Sequence, residues 1–494
     1  MLKGTMLQYF HWYTPGDGNL WKQIKQDAPK LASLGFTAIW LPPVFKSANG
    51  GYSTGYDVYD LYDLGEFDQK GSIRTKYGTR QEYLDALAEV RACGMQVMVD
   101  IVLNHKAGGD EIERIKVVKV SPDNRNEDIS EPFDIDAFTK FTFPGRQKKY
   151  SDFEWNYTCF TGVDYAHDLN EDGIFRIVND FTGSWQEMID DEKGNYDYLM
   201  YNDIDFRNDF VREELNRWGN WYWDQANFDG VRLDAVKHIS PFFYVEWLHK
   251  LRENTGKDIF AVGEYWAPGH LNLLLKYIEA TGGNMSLFDS SLHNNLHQAS
   301  KSASNYDLRT IFDDTLVKAM PEKAVTVVGN HDTQPLQALE APVDPWFAPI
   351  AYALILLREE GYPCVFYPDL FGANYKDYGK DGNEYEIWMP AVENIEKFMW
   401  ARRDFAYGTQ RDYFDHPNCI GWTREGDDHH SGCAIVVSNG DNGNKTMEIG
   451  KRYAGRIFFD MLEKNPNEVV INKDGWGEFF APAGSVSVWI EKIL

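Results

Sequence analysis

The chain has 494 residues, 43% apolar and 25% charged, enough for two or three domains with sizeable cores. Its formal net charge of −27 argues against nucleic acid and anionic membranes as partners and is compatible with neutral substrates and cations. Five widely spaced cysteines without a C-x-x-C pattern fit a reduced compartment, no apolar run reaches the ~18 residues of a membrane span, and the chain opens without a leader-like stretch, so a cytoplasmic protein is expected.

Residues 6–10 form a strand-like stretch. A helical pattern follows at Leu20–Leu34, with Trp21, Ile24, Ala28, Leu31 and Leu34 on one face and Gly35 as its stop. A second strand is expected at 37–41, a helix at 81–93 and a third, nearly all-apolar strand at 96–103. The rhythm then breaks. Residues 105–207 are rich in Asp, Asn, Gly and Tyr with little helical period, and a loop this long inside a domain is usually functional. The alternation resumes with a helix at 209–226, a fourth strand at 230–233 and a helix at 241–253. It continues with a strand at 259–262, a helix at 271–280, a strand at 285–288 and a helix at 307–319. A strand at 325–328, a helix at 346–358, a strand at 363–367 and a last helix at 396–405 complete it. Alternating segments separated by Gly and Asn turns fill 418–494.

Eight βα units are what a closed parallel barrel requires. The expected fold is α/β: a (β/α)8 TIM barrel over 1–104 and 208–397, an irregular β-rich subdomain inserted over 105–207 after strand 3, and a C-terminal antiparallel β-sandwich domain over 398–494.

Three of the strands end in acids: Asp234 in Gly-Val-Arg-Leu-Asp-Ala-Val-Lys-His (230–238), Glu264 in Gly-Glu-Tyr-Trp (263–266) and Asp332 in Asn-His-Asp (330–332). Arg232 beside Asp234 on a buried strand implies mutual neutralisation or a ligand, since an unpaired buried charge is costly. Any one acid alone reads as a cap or half a salt bridge; three at one barrel mouth read as an acidic cleft. Paired carboxylates there suit glycoside hydrolysis, one as acid and one as nucleophile or stabiliser. The 15% aromatic content adds rings that stack on sugars as well as pack cores.

These motifs, with Asp-Ile-Val-Leu-Asn-His (100–105) and Gly55–Phe67, resemble the ordered signature regions of the α-amylase family, closest to its bacterial liquefying and cytoplasmic branches. The resemblance spans essentially the whole chain, including Gly475–Phe479. It implies Asp234 as nucleophile, Glu264 as acid/base and Asp332 as transition-state stabiliser. It also implies sugar contacts from Tyr56, His105, Arg232, Lys237, His238, Trp266 and His331. The implied substrate is an α-1,4-glucan: starch, glycogen or maltodextrin. The implied cofactor is one structural Ca²⁺ held by Asn104, Asp164, Asp197, Asp203 and the carbonyl of His238. Gln186 and Arg207 stand where liquefying relatives carry acids of a further metal cluster, so one calcium is expected rather than several. A monomer is expected. Two alternatives share the barrel: a transglycosylase using the same intermediate, and a sugar-binding barrel without catalysis.

Overall fold

The barrel strands are short and almost entirely buried. In the computed structural model, which describes residues 4–178 and 184–492, they are β1 (Met6–Gln8), β2 (Ala38–Trp40), β3 (Gln96–Ile101), β4 (Gly230–Leu233), β5 (Phe260–Gly263), β6 (Ser286–Phe288), β7 (Ala324–Val327) and β8 (Tyr362–Phe366). The outermost ends of the expected domains, and residues 179–183 of the insertion, lie outside the described residues. All eight strands pair in parallel, and β1 closes the ring by pairing with both β2 and β8.

Helices wrap this ring with their apolar stripes inward. Leu20–Leu34 buries the residues its spacing predicts, and Gly35 ends it at φ 101°, a conformation that favours glycine. Arg80–Ala92 starts on a reciprocal capping box between Thr79 and Glu82. Asp209–Ala226 is capped by Asn208 and packs against Pro241–Thr255, where a Cβ on Gly219 would meet Trp247 at 3.0 Å. Leu271–Ala280, Ala348–Leu356 and Ile395–Asp404 follow β5, β7 and β8.

The structure differs from the sequence reading at one helix and adds detail at the insertion and at the end of the barrel. The helix after β6 is Ser290–Ser302, started by the Asp289 carboxylate on the Leu292 N–H; the expected helix at 307–319 is broken into a turn at Leu308–Thr310 and one short turn at Leu316–Ala319. Asp314, at φ 53°, separates the two pieces. The insertion is more regular than expected: its strands form one six-stranded sheet in which Glu111–Val120 pairs with Phe133–Lys140 and Phe160–Ala166 lies beside Asn202–Ile204. The boundary expected at 397/398 falls inside helix Ile395–Asp404. That helix is tied to the start of the barrel by Arg402, which donates to the Thr5 hydroxyl and to the carbonyls of Gly4 and Leu356.

Beyond this helix lie an antiparallel six-stranded sheet and a two-stranded one. Trp422 of the larger sheet is buried and donates its indole N–H to Leu357 O, joining sheet and barrel. Four of the five cysteines are buried. Among the described residues no helix is long and apolar enough to cross a membrane.

Candidate active site

Arg232 is the hub of the barrel mouth. Its position on β4 is opposite Asp100 of β3 and Val262 of β5, and its side chain is 1% exposed. Nη1 lies 2.8 Å from Asp100 and 2.6 Å from Asp234, and Nη2 lies 2.7 Å from Glu264. One planar guanidinium therefore clasps three carboxylates, a task its fork geometry suits and a lysine does not. Asp100 is held from its other side by Tyr56 Oη at 2.8 Å and Trp40 Nε1 at 3.0 Å. It is a site residue that the sequence reading did not single out; the signal was an acid within a nearly all-apolar strand.

The backbone places these groups by continuing the strand ladder one step. Asp234 N–H donates to Ile101 O and Glu264 N–H to Leu233 O, both at 2.9 Å. Ala235 then takes φ 49°, unusual for a residue with a Cβ, and aims its N–H at Glu264 Oε2, 3.2 Å away. Asp332 is set by a different device. The Asn330 side chain accepts from the N–H groups of Asp332 and Thr333, both at 2.9 Å, folding the chain after β7 into a tight turn.

The trio is graded in access. Side-chain exposure is 11% for Asp234, 10% for Glu264 and 23% for Asp332, so all three reach a cleft that Asp100 does not. Burial raises the Glu264 carboxyl above its ordinary range; Arg232 opposes the shift and the charge of Asp234 adds to it. Burial and then Glu264 push Asp332 well up. Burial disfavours the charge on Arg232, but Asp100 and Glu264 outweigh it and hold the guanidinium charged.

Aromatic rings line one side. Tyr56 stacks on His331 with ring centres 5.0 Å apart, and Trp12 lies parallel to both at 6.0 and 6.2 Å. His331 Nδ1 is paired with Gln8 at 3.0 Å, and its Nε2 is 3.3 Å from Asp332. His105 Nε2 meets the Tyr56 carbonyl at 2.8 Å. Burial lowers the pKa of both histidines, favouring their neutral forms. Three expected sugar contacts sit apart from this group. Lys237 is paired with Asp190 at 3.2 Å and with Glu192, both in the insertion. His238 Nδ1 is 2.6 Å from Tyr196 O, and Trp266 packs on His293 at 5.3 Å.

A second acidic cluster lies where the insertion meets β3. Among the described residues no group of three or more His, Cys, Asp or Glu converges on a metal site. The wider oxygen set nevertheless fits a hard cation. Asp197 and Asp203 are buried; burial, then the charge of Asp205, moves Asp197 up to about 7, and burial, then the charge of Asp197, pushes Asp203 well up. Asn104 Oδ1 and Gln186 Oε1 are buried carbonyl oxygens without a hydrogen-bond partner. Asn104 Nδ2 is 3.4 Å from Asp203, and Gln186 Nε2 is 3.1 Å from Asp197. Asp164 accepts the Tyr201 N–H at 2.8 Å. Arg207 pairs with Asp205 at 2.9 Å and donates to Ser184 O at the same distance, putting a fixed positive charge beside the cluster.

The match to known proteins covers both parts of the chain. Residues 14–404 match the family model "Alpha amylase, catalytic domain", and residues 434–490 match "Alpha-amylase C-terminal". The chain belongs to the α-amylase family. It is 49% identical over 496 residues to the "Cytoplasmic alpha-amylase" of Escherichia coli (strain K12), covering 100% of both proteins. It is also 49% identical to the "Alpha-amylase" of Geobacillus stearothermophilus, covering 99% of this chain and 87% of the relative. An Anoxybacillus α-amylase structure shares the fold with a TM-score of 0.63 at 18% identity, covering 100% of this chain and 98% of that one.

Proposed function

We infer that this chain is an α-amylase that hydrolyses internal α-1,4-glucosidic bonds of starch, glycogen or maltodextrin with retention of configuration. The observation that carries this reading is the clasp of Asp234 and Glu264 by one guanidinium, 2.6 and 2.7 Å away, inside a chain of this family. Two carboxyls bridged in this way stand side by side. That favours the short separation of retaining enzymes, ~5–5.5 Å, over the ~6.5–9.5 Å that leaves room for an inverting water.

Glu264 gives its proton to the glycosidic oxygen as the C1–O bond breaks, and an Asp234 oxygen bonds C1 from the opposite face. The freed chain end leaves. Glu264, now a carboxylate, takes a proton from water; the oxygen of that water bonds C1 and Asp234 is released. Two inversions give net retention. Burial keeps Glu264 protonated above the ordinary carboxylate range. Asp332, the more open acid, accepts bonds from the sugar hydroxyls beside the neutral His331, whose Nε2 faces it at 3.3 Å. Tyr56 stacks on the ring, and His105, bonded to the Tyr56 carbonyl and to Asn104, positions Tyr56.

Asn104, Asp197, Asp203 and Gln186 are proposed to hold one Ca²⁺, with Asp164 and the His238 carbonyl completing the set. When bound, the ion neutralises the buried acids and pins the insertion to the barrel. Lys237, bonded to Asp190 and Glu192, fastens the same joint from the β4 side. The proposed units are the barrel through Asp404, the insertion over 105–207, and the C-terminal sheets. A monomer in the cytoplasm is proposed, on the name of the Escherichia coli relative and the strongly acidic surface.

A long maltooligosaccharide dyed at its reducing end, followed from the first minutes, tests the activity. Mixed internal fragments born as the α-anomer are expected. Rearranged longer chains would replace the reading with transglycosylation, and binding without cleavage would leave only a sugar-binding barrel.

A further inference from the structure

Between β8 and the last helix, Ala373–Tyr378 and Glu384–Met389 form an antiparallel hairpin that extends from the barrel mouth. Its register sets Asn374 opposite Trp388, Lys376 opposite Glu386 and Tyr378 opposite Glu384. Strand alternation puts these six side chains on one face. That face is open: Trp388 is 74% exposed and Tyr378 64%. Scattered single exposed apolar residues are ordinary, but two large aromatic rings on one six-residue face, framed by polar groups, form a ligand pattern. Four residues at a ~3.3 Å rise separate the rings by ~13 Å along the strand, the length of a short run of sugars. Between them, Lys376 and Glu386 pair at 3.5 Å and offer donors and acceptors with their charges matched, which suits a neutral polyol.

The opposite face anchors the hairpin to the cleft. The Tyr375 ring stacks on Tyr13 at 3.9 Å, its hydroxyl donates to Pro335 O at 2.9 Å, and Tyr13 Oη donates to Asp377 at 2.6 Å. Tyr13 adjoins Trp12, which stacks on Tyr56 and His331 of the catalytic cleft. A bare two-stranded hairpin is marginal in water; here the inner face fixes it as a continuation of the cleft wall.

We propose that the outer face of this hairpin is a second α-glucan-binding site, with Trp388 and Tyr378 as stacking platforms and Asn374, Lys376 and Glu386 bonding hydroxyls. It holds one part of a long chain while another part occupies the cleft, raising the local substrate concentration. The inference rests on the reading of this chain as an α-glucan hydrolase.

The test uses the full chain. In an Asp234→Asn background, so that glycogen survives, migration through native gels with and without glycogen is compared for intact and Trp388→Ala/Tyr378→Ala forms. The double substitution is expected to weaken retardation by glycogen about tenfold, and Trp388→Phe to keep most of it. In the active enzyme the same pair is expected to raise KM for glycogen several-fold and leave kcat/KM on a short maltooligosaccharide within about twofold of the parent. Equal retardation of the intact and doubly substituted proteins, or an equal loss on both substrates, would overturn the proposal. A parent enzyme that cleaves no α-glucan would instead overturn the functional reading, because retardation is scored without cleavage.

Discussion

Replacing Arg232 with methionine removes the cation and keeps a side chain of similar reach. Three carboxylates lose a partner at 2.6–2.8 Å, and Asp100 among them has 0% side-chain exposure. Removing one member of a buried ion pair costs about 3–5 kcal/mol, because the remaining charge stays desolvated. Denaturant unfolding near neutral pH is expected to show a loss of that order. Expressed in the transition state, the same energy corresponds to a fall of about 10²–10⁴ in kcat/KM. The pH profile gives an independent sign. Arg232 lowers the Glu264 carboxyl against the upward push of burial, so its loss lets Glu264 rise further and stay protonated to higher pH. The basic limb of kcat/KM therefore moves upward. The assay is initial-rate hydrolysis of a dyed maltooligosaccharide across pH, with circular dichroism as the control for folding. A folded Arg232→Met protein with more than a tenth of parental kcat/KM and an unmoved basic limb would refute the reasoning.

Glu264→Gln keeps the shape of the side chain and removes its proton; hydrolysis of a maltooligosaccharide is expected to fall about 10²–10⁴-fold. An α-glycosyl fluoride, whose leaving group needs no proton, should be cleaved far better by this variant, and equal loss on both substrates would contradict the acid role. Metal analysis of dialysed protein should find one calcium per chain, with Asp203→Asn weakening its retention. Chelation should lower the thermal midpoint and expose 105–207 to protease, and added calcium should reverse both; two or more tightly held ions would show that Arg207 does not block a further site.

Most of the site was legible because its residues end barrel strands, where burial on both faces makes a charge conspicuous. Asp234 and Glu264 stand out from apolar neighbours for that reason, Asp332 comes from the polar Asn330-His331-Asp332 run after β7, and Arg232 announced its need for partners. Asp100 lies in the 100–105 motif at the end of β3 but has no role of its own in the sequence reading, and only the Arg232–Asp100 register shows what it does. The helix at Ser290–Ser302 was hidden by its own composition: Ser290, Ser291 and His293 are buried beside Leu292 and Leu296, so the inward stripe does not read as apolar. Residues 307–319 have a helical apolar spacing, but Thr315 caps a new turn after the left-handed Asp314. In the insertion, Glu111–Val120 and Phe133–Lys140 hold charged and buried positions close together, a strand signal masked by the polar character of the segment. The ties of Lys237 to Asp190 and Glu192 join residues about fifty positions apart and follow only from the docked insertion.

The central claim is that Asp234 bonds the sugar. A 5-fluoro α-glycosyl fluoride, which forms the covalent intermediate and slows its hydrolysis, should leave one glycosyl group on the peptide containing Asp234 when the quenched protein is digested and read by mass spectrometry. The label should be absent from Asp234→Asn. A label on another residue, or no label while the released sugar is the β-anomer, would contradict the account.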